Sequence, residues 1–364
     1  MHSIKIVGAG SIGNHLANAA RSRGWSVILT DADPAALERT RASIYPGRYG
    51  AWDEAIALKE TKDSWSDPTD VVFIGTPPDS HVALTEKAFQ GPKPKAVVIE
   101  KPLCGPDLAG CADLWRRARE EGVFVAVGYN HTLGRNTLEA EKALKSGALG
   151  TVQTISARTR EHWGGIFKAH PWLAGPADSY LGYWKRGGGA AGEHSHGINI
   201  WQHFAHAVGA GKVAEVSAAL DVVKDGATEY DRLCFLTLKT TEGLVGDVIQ
   251  DVVTEPAEKS ARIQGSDGFL EWRVNLEPNV DAVTTGGPGR TPETSRIAKT
   301  RADDFKAEIA HLEEVLAGKA EGSPIALERG LDTMMVIAAA FRSHATGRRV
   351  TIDWSAGYRP EALR

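Results

Sequence analysis

The chain opens into Ile4-Lys5-Ile6-Val7-Gly8-Ala9-Gly10-Ser11-Ile12-Gly13, a short apolar run that ends in the pattern G-x-G-x-x-G. An apolar run bounded by glycine reads as a buried strand, and helical spacing over residues 13–23 follows it. Each glycine answers a physical need at such a strand-to-helix turn. The first permits the tight turn, the second lets backbone approach a pyrophosphate, and the third packs helix on sheet. Amides of Ser11 and Ile12 at the helix N-terminus then face the phosphate charge. With 39 glycines in the chain the bare pattern could arise by chance, so its context carries the reading. A second apolar run, Val27–Thr30, supplies that context by completing a strand–helix–strand unit. Asp31 ends this run twenty-three residues after Gly8, close to the spacing of the carboxylate that holds the ribose 2′-hydroxyl of NAD. A 2′-phosphate would be repelled there, and Ala32 and Asp33 offer no arginine, so NAD is expected over NADP. Asp33, before Pro34, is the better helix cap.

Working outward, runs at 71–75, 96–99 and 123–127 alternate with helical patterns near 80–90 and 106–120. That is the pattern of a parallel sheet covered on both faces. Near Gly128 the period changes. From about 152 to 275 apolar and polar residues alternate, as in an antiparallel sheet with one wet face, interrupted by a helical stretch at 193–208. Residues 277–300, rich in Gly, Pro, Thr and Arg, read as an irregular loop. Helical spacing returns over 303–317 and 327–346, and 348–352 reads as a strand. The expected fold class is α/β. A doubly wound Rossmann-type domain spans residues 1–127. An α+β domain with a large, mainly antiparallel open sheet spans 128–364, and its last helix is expected to pack back on the first domain.

Composition agrees with two globular domains in 364 residues. A net charge of −4 gives no footprint for nucleic acid or an anionic membrane. No window approaches the 18 apolar residues of a spanning helix, and Met1 leads into Ser3–Val7 without a signal-peptide pattern. Cys104, Cys111 and Cys234 form no CxxC pair and are expected as reduced thiols in the cytoplasm.

Three segments carry reactive side chains. Thr76-Pro77-Pro78, with His81 beyond, terminates one strand, where two prolines block continuation. Glu100-Lys101-Pro102 terminates the next, placing a charged pair at the C-terminal sheet edge where open α/β sheets bind ligands. The third is Gly187-Gly188-Gly189-Ala190-Ala191-Gly192-Glu193-His194-Ser195-His196-Gly197-Ile198-Asn199. On one continuous helix Glu193, His196 and Asn199 would share a face. Oxidation of a secondary alcohol by nicotinamide explains these residue types. Histidine suits removal of the hydroxyl proton, a lysine ammonium stabilises the developing alkoxide, and a carboxylate orients a neighbouring hydroxyl or caps a helix. A metal site on Glu193, His194, His196, His203 and His206 is disfavoured, because no i,i+4 histidine pair exists among them.

Residues 161–186 are dense in aromatics and prolines: Trp163, Phe167, Pro171, Trp172, Pro176, Tyr180, Tyr183 and Trp184. Flat aromatic faces suit carbohydrate rings, and Trp184 is placed to wall the nicotinamide; a subunit interface or a satellite core is the plainer reading. Arg158 and Arg160 share one strand face, either to bind a substrate carboxylate or to solvate the sheet.

Together these motifs, with Gly128-Tyr129-Asn130, Ser323-Pro324-Ile325 and Thr346-Gly347-Arg348, resemble the glucose–fructose oxidoreductase, inositol dehydrogenase and rhizopine-catabolism family, Gfo/Idh/MocA, over essentially the whole chain. The resemblance implies NAD(P)-dependent chemistry on a sugar, cyclitol or sugar acid. Lys101 would touch the reacting hydroxyl, with Thr76, Pro77, Pro78, His81, Glu100 and Asn130 at the cofactor or substrate, and homodimers or homotetramers would form through the second sheet. The glycine segment departs from the commonest form, roughly GGG-x-x-x-D-x-G-x-H: Glu193 replaces aspartate and histidine falls one position early, at His196. It is similar to a subset with D-x-S-H-x-I-D, which makes His196 the expected acid/base. The shift keeps two alternatives open, an NAD-assisted glycoside-cleaving enzyme and a non-catalytic sensor.

Overall fold

The computed structural model describes residues 1–169, 172–319 and 321–364; Pro171 of the aromatic segment lies outside them. Six strands, β1 Ser3–Val7, β2 Ser26–Asp31, β3 Ile56–Glu60, β4 Val71–Ile74, β5 Ala96–Ile99 and β6 Phe124–Val127, form one sheet in the order β3-β2-β1-β4-β5-β6. Every neighbouring pair is parallel. Both faces are covered, and β4, β5 and β6 are accordingly apolar throughout. In β4, Val72 and Ile74 join the core with Phe89 and Leu114, while Phe73 between them turns to Leu16 on the other side. The strand order reverses between β1 and β4, and the crevice at that point opens at the C-terminal ends of the strands.

The second sheet has nine strands in the order β14-β13-β12-β11-β7-β10-β9-β8-β15. They are β7 Val152–Arg160, β8 Val213–Asp225, β9 Thr228–Thr240, β10 Val245–Asp251, β11 Glu258–Gly265, β12 Phe269–Glu277, β13 Val280–Gly287, β14 Arg290–Ala298 and β15 Val350–Thr351. Only β7 and β10 pair in parallel. Alternation is clear in β9, where Cys234, Leu236 and Leu238 are buried and Phe235 is exposed. The buried face lies under the helices His196–Ala207 and Leu327–Thr346.

The helix Arg301–Leu316 leaves this sheet and packs on the helix Ser11–Ser22 of the first, where the His15 and Phe305 rings stack at 4.6 Å. The connection before the helix Leu327–Thr346 also reaches β6, through Val127 N–H donating to Ile325 O at 2.8 Å.

Three expectations are corrected. Residues 277–300 are a hairpin, β13–β14, rather than a loop; Pro292 is tolerated because β14 is an edge strand. The 193–208 stretch is two helices, Gly189–Glu193 and His196–Ala207, so Glu193 and His196 do not share one helical face. Between 106 and 120 helix begins only at Cys111. Among the described residues no helix is long and apolar enough to cross a membrane.

Candidate active site

The glycine loop after β1 and the turn after β4 meet at the crevice. Gly8 has φ +113°, and a Cβ on it would stand 2.6 Å from Gly75 O. A Cβ on Gly13 would stand 2.1 Å from Gly8 O, whereas one on Gly10 would meet nothing within 4 Å. These are the three requirements of a dinucleotide cradle: a close turn, an open approach and tight helix packing. Asp31 is fixed beside it, its carboxylate accepting from Ala9 N–H at 2.8 Å and Asp33 N–H at 3.0 Å. The residues present therefore fit NAD.

Beyond the cradle, Lys101 follows β5. Its Nζ donates to Glu193 O at 2.8 Å and lies 3.1 Å from Glu193 Oε2. The Tyr180 hydroxyl donates to the same Oε2 at 2.9 Å. Burial alone would raise the Glu193 carboxyl, but Lys101, His194 and Tyr180 hold it below the usual carboxylate range. Lys101 and Glu193 side chains keep only 11% and 17% exposure, so their charges act in a poorly screened space.

His196, the first residue of its helix, lies against the His131 ring with centroids 4.3 Å apart and against Tyr129 at 5.6 Å. Its buried Nδ1 has no hydrogen-bond partner. Burial holds both His131 and His196 well below the ordinary histidine value, and the Lys101 charge adds to this. His194 points elsewhere: its Nε2 meets Glu161 O at 3.3 Å, and the Glu161 carboxylate pairs with Lys259 at 2.7 Å.

Glycines make this arrangement possible. A Cβ on Gly188 would stand 2.1 Å from Tyr180 O, and one on Gly189, φ +76°, only 1.9 Å from Asp231 Oδ1. Asp231 accepts from Ala191 N–H at 2.7 Å. Gln250 donates to Ala190 O at 2.9 Å and accepts from Ile198 N–H at 3.1 Å, so β9 and β10 hold both short helices from below.

Several expected site residues lie elsewhere. Arg158 and Arg160 alternate with Ile155, Ala157 and Thr159, which face the site helices, so the arginines occupy the opposite face, where Arg160 pairs with Asp251 at 2.5 Å. Asn199 is buried and donates to Thr333 Oγ1 at 3.1 Å, which makes it a tie to the last long helix. His81 is fully buried, its ring nitrogens on Thr76 O at 2.7 Å and Pro102 O at 3.1 Å; it joins the two turns and does not line the crevice. Trp184 stacks on Phe341 at 4.5 Å, a packing contact. The Asn130 amide sits against the buried Glu308 carboxyl. Burial raises Glu100 to about 7, and the Glu100 charge in turn resists ionisation of Glu308.

Sequence reading missed His131, Tyr180 and Lys259 as site residues. Tyr180 carried a signal, as part of the aromatic segment before the glycines; Lys259 and His131 carried none beyond their neighbours' motifs. Among the described residues no group of three or more His, Cys, Asp or Glu is placed to hold a metal ion.

Comparison with known proteins agrees with this geometry. Residues 3–129 match the oxidoreductase family with an NAD-binding Rossmann fold, GFO_IDH_MocA, and residues 137–271 match the GFO/IDH/MocA C-terminal domain. No curated protein matches the sequence. The WlbA dehydrogenase from Bordetella pertussis, solved with NADH and UDP-GlcNAcA, superposes with TM-score 0.71 at 19% identity, over 96% of this chain and 98% of its own. The aldose-aldose oxidoreductase from Caulobacter crescentus, complexed with glycerol, gives 0.75 at 20% identity over 96% and 99%. Levoglucosan dehydrogenase, with NADH and levoglucosan, gives 0.77 at 16% identity over 96% and 98%. At these identities the structural likeness is one of fold, and the two family matches, which together span most of the chain, establish that it belongs to the Gfo/Idh/MocA family of NAD-binding oxidoreductases.

Proposed function

We propose that this chain is an NAD-dependent dehydrogenase acting on a secondary alcohol of a sugar, cyclitol or sugar acid. The observation that carries the reading is Lys101, ion-paired with Glu193 beyond the dinucleotide cradle, together with the buried, unpartnered His196 Nδ1 on which the Lys101 charge acts. NAD, when bound, takes up or returns the hydride. Lys101 Nζ holds the reacting hydroxyl oxygen and stabilises its negative charge as the proton leaves. His196 Nδ1, neutral at physiological pH, accepts that proton and returns it in the reverse direction. Glu193 fixes Lys101 and, with Tyr180, orients a second hydroxyl. Gly8, Gly10, Ser11, Ile12 and Gly13 receive the pyrophosphate, Asp31 the ribose, and Thr76, Pro77, Pro78 and Glu100 border the nicotinamide half. Residues 1–127 form the cofactor unit and 128–364 the substrate unit. The outer sheet face, where Phe235 and Val245 are 41% and 44% exposed, pairs with a second copy in a homo-oligomer. Free, buried cysteines suit a cytoplasmic setting.

NADH formation followed by absorbance, with NAD and a panel of sugars, cyclitols and sugar acids, tests the reading. One substrate class should give NADH, and Lys101→Ala should lower turnover by about 10²-fold or more while NAD still binds. Turnover that persists in Lys101→Ala would sink it. The His131–His196 pair supports a second reading, transient oxidation followed by elimination of a glycosidic leaving group, which needs two proton-transfer groups. Release of free sugar without NADH accumulation would favour that route.

A further inference from the structure

The helices Ser11–Ser22 and Arg301–Leu316 pack directly on one another, parallel and in register. His15 meets Phe305, and Arg23 pairs with Glu313, the same offset of 290 residues. Carried back one turn, this register sets Arg301, the first residue of its helix, opposite Ser11, the first residue of the cofactor helix. Both helix N-termini therefore point the same way, toward the space in front of Gly10. On the other flank of the cofactor helix, Tyr45 and Tyr49 lie against Asn18 and His15, and Arg48 completes that row at Ser11. Arg48 donates to Ser11 O at 2.8 Å and to Ser11 Oγ at 2.9 Å.

Arg48 is thus tied to the first residue of the cofactor helix, and Arg301 opens the helix packed beside it, with its charge felt at His15, Arg48 and Tyr49. Among the described residues neither makes an ion pair with a carboxylate, although the Arg301 charge also reaches the Glu100 and Asp304 carboxyls. Each lies close enough to the other for its charge to be felt: burial and the Arg301 charge both lower the proton affinity of Arg48. Two like charges held at one end of a helix, beside its N-terminal amides, are stabilised by a doubly charged anion between them. The cradle's own ligand carries such a group.

We infer that Arg48 and Arg301 form a clamp on the cofactor's pyrophosphate, one arm from each half of the chain. They are positioning residues: neither touches the reacting atoms, and their work is to fix the dinucleotide along the crevice so that nicotinamide reaches Lys101. The inference rests on the chain binding a dinucleotide, and holds for NAD and NADP alike.

Isothermal titration of the full-length protein with NAD, ADP-ribose and adenosine tests it. ADP-ribose carries the pyrophosphate without nicotinamide, and adenosine carries neither. Arg301→Ala and Arg48→Ala should each weaken NAD and ADP-ribose by about ten-fold or more, leave adenosine unchanged, and flatten the salt dependence of ADP-ribose binding. Arg301 is exposed, so its variant decides the matter if loss of the Ser11 contacts disturbs folding in Arg48→Ala. A folded Arg301→Ala protein that binds ADP-ribose within about two-fold of wild type would overturn the clamp alone. An equal loss of adenosine affinity would do the same. Wild-type protein that binds neither NAD nor ADP-ribose would overturn the dinucleotide reading with it.

Discussion

His196 works in a space that disfavours its own charge. Its ring is buried, His131 stands edge-on to it, and Lys101, Lys259 and His194 all push its proton affinity down. An imidazole held below its ordinary value stays neutral as pH falls through the usual histidine range, which preserves it as a base. For alcohol oxidation, kcat/KM should therefore stay level from pH 8 to about 6. A pH–rate profile with an acid limb near neutrality that vanishes in His196→Asn would contradict this. Tyr180 acts on the same centre through Glu193. Tyr180→Phe removes one donor from a buried carboxylate, so turnover should fall by about ten-fold with NAD affinity unchanged; equal losses in both would mean only general damage. Lys101 and Glu193 were legible in the sequence because a strand-end motif and a glycine-rich entry place them. Arg158 and Arg160 show the opposite case. Period-two alternation says that they share a face, but which face is buried depends on the helices that the strand later meets.

The glycine-rich entry does at the scale of an element what the motif alone does not reveal. Two short helices, broken at His194 and Ser195, turn Glu193 toward Lys101 and His196 toward His131. The break is invisible in the apolar spacing, because Ala190, Ala191, Ile198 and Ile200 all pack inward across it. It is enforced from outside, by Asp231 and Gln250 on the strands beneath. Gly189→Ala would put a side chain at a positive φ and into Asp231. The expected result is more than about 1 kcal/mol of lost stability, with turnover falling further than NAD affinity because the glycine loop of the first sheet is untouched. Thermal unfolding and NAD titration of this variant check both halves, and wild-type turnover would mean that the turn tolerates displacement. The β13–β14 hairpin escaped sequence reading for a related reason. Gly286, Gly287 and Pro292 signal a turn or loop, and only the edge position of β14 makes them compatible with strand.

Across the whole molecule, buried titratable groups oppose one another in their effect on stability. Burial holds His81 and His194 at about 4 and His15 at about 3. The unfolded chain takes up these protons first, so their contribution is complete above about pH 6.5 and is lost as pH falls toward 4. Burial pushes four carboxyls the other way, Asp332 to about 6, Glu100 to about 7 and Asp231 and Glu308 to about 8. These stay protonated in the fold while the unfolded chain has released its protons, so stability declines as pH rises from about 4 to 8. Above pH 6.5 the histidines no longer compensate, and the alkaline decline should stand alone. Glu308 isolates it. The residue is 2% exposed, its Oε1 has no partner, Asn130 sits against its carboxyl, and the Glu100 and Asp304 charges resist its ionisation. Glu308→Gln keeps the shape of the protonated acid and removes the titration. Between pH 6.5 and 8.5 wild-type Tm should drop by on the order of a few °C, and the variant's decline should be visibly shallower. Parallel slopes for the two proteins would show that Glu308 is already ionised in the fold, and that the helix Arg301–Leu316 carries a buried charge against the cofactor unit rather than a neutral acid.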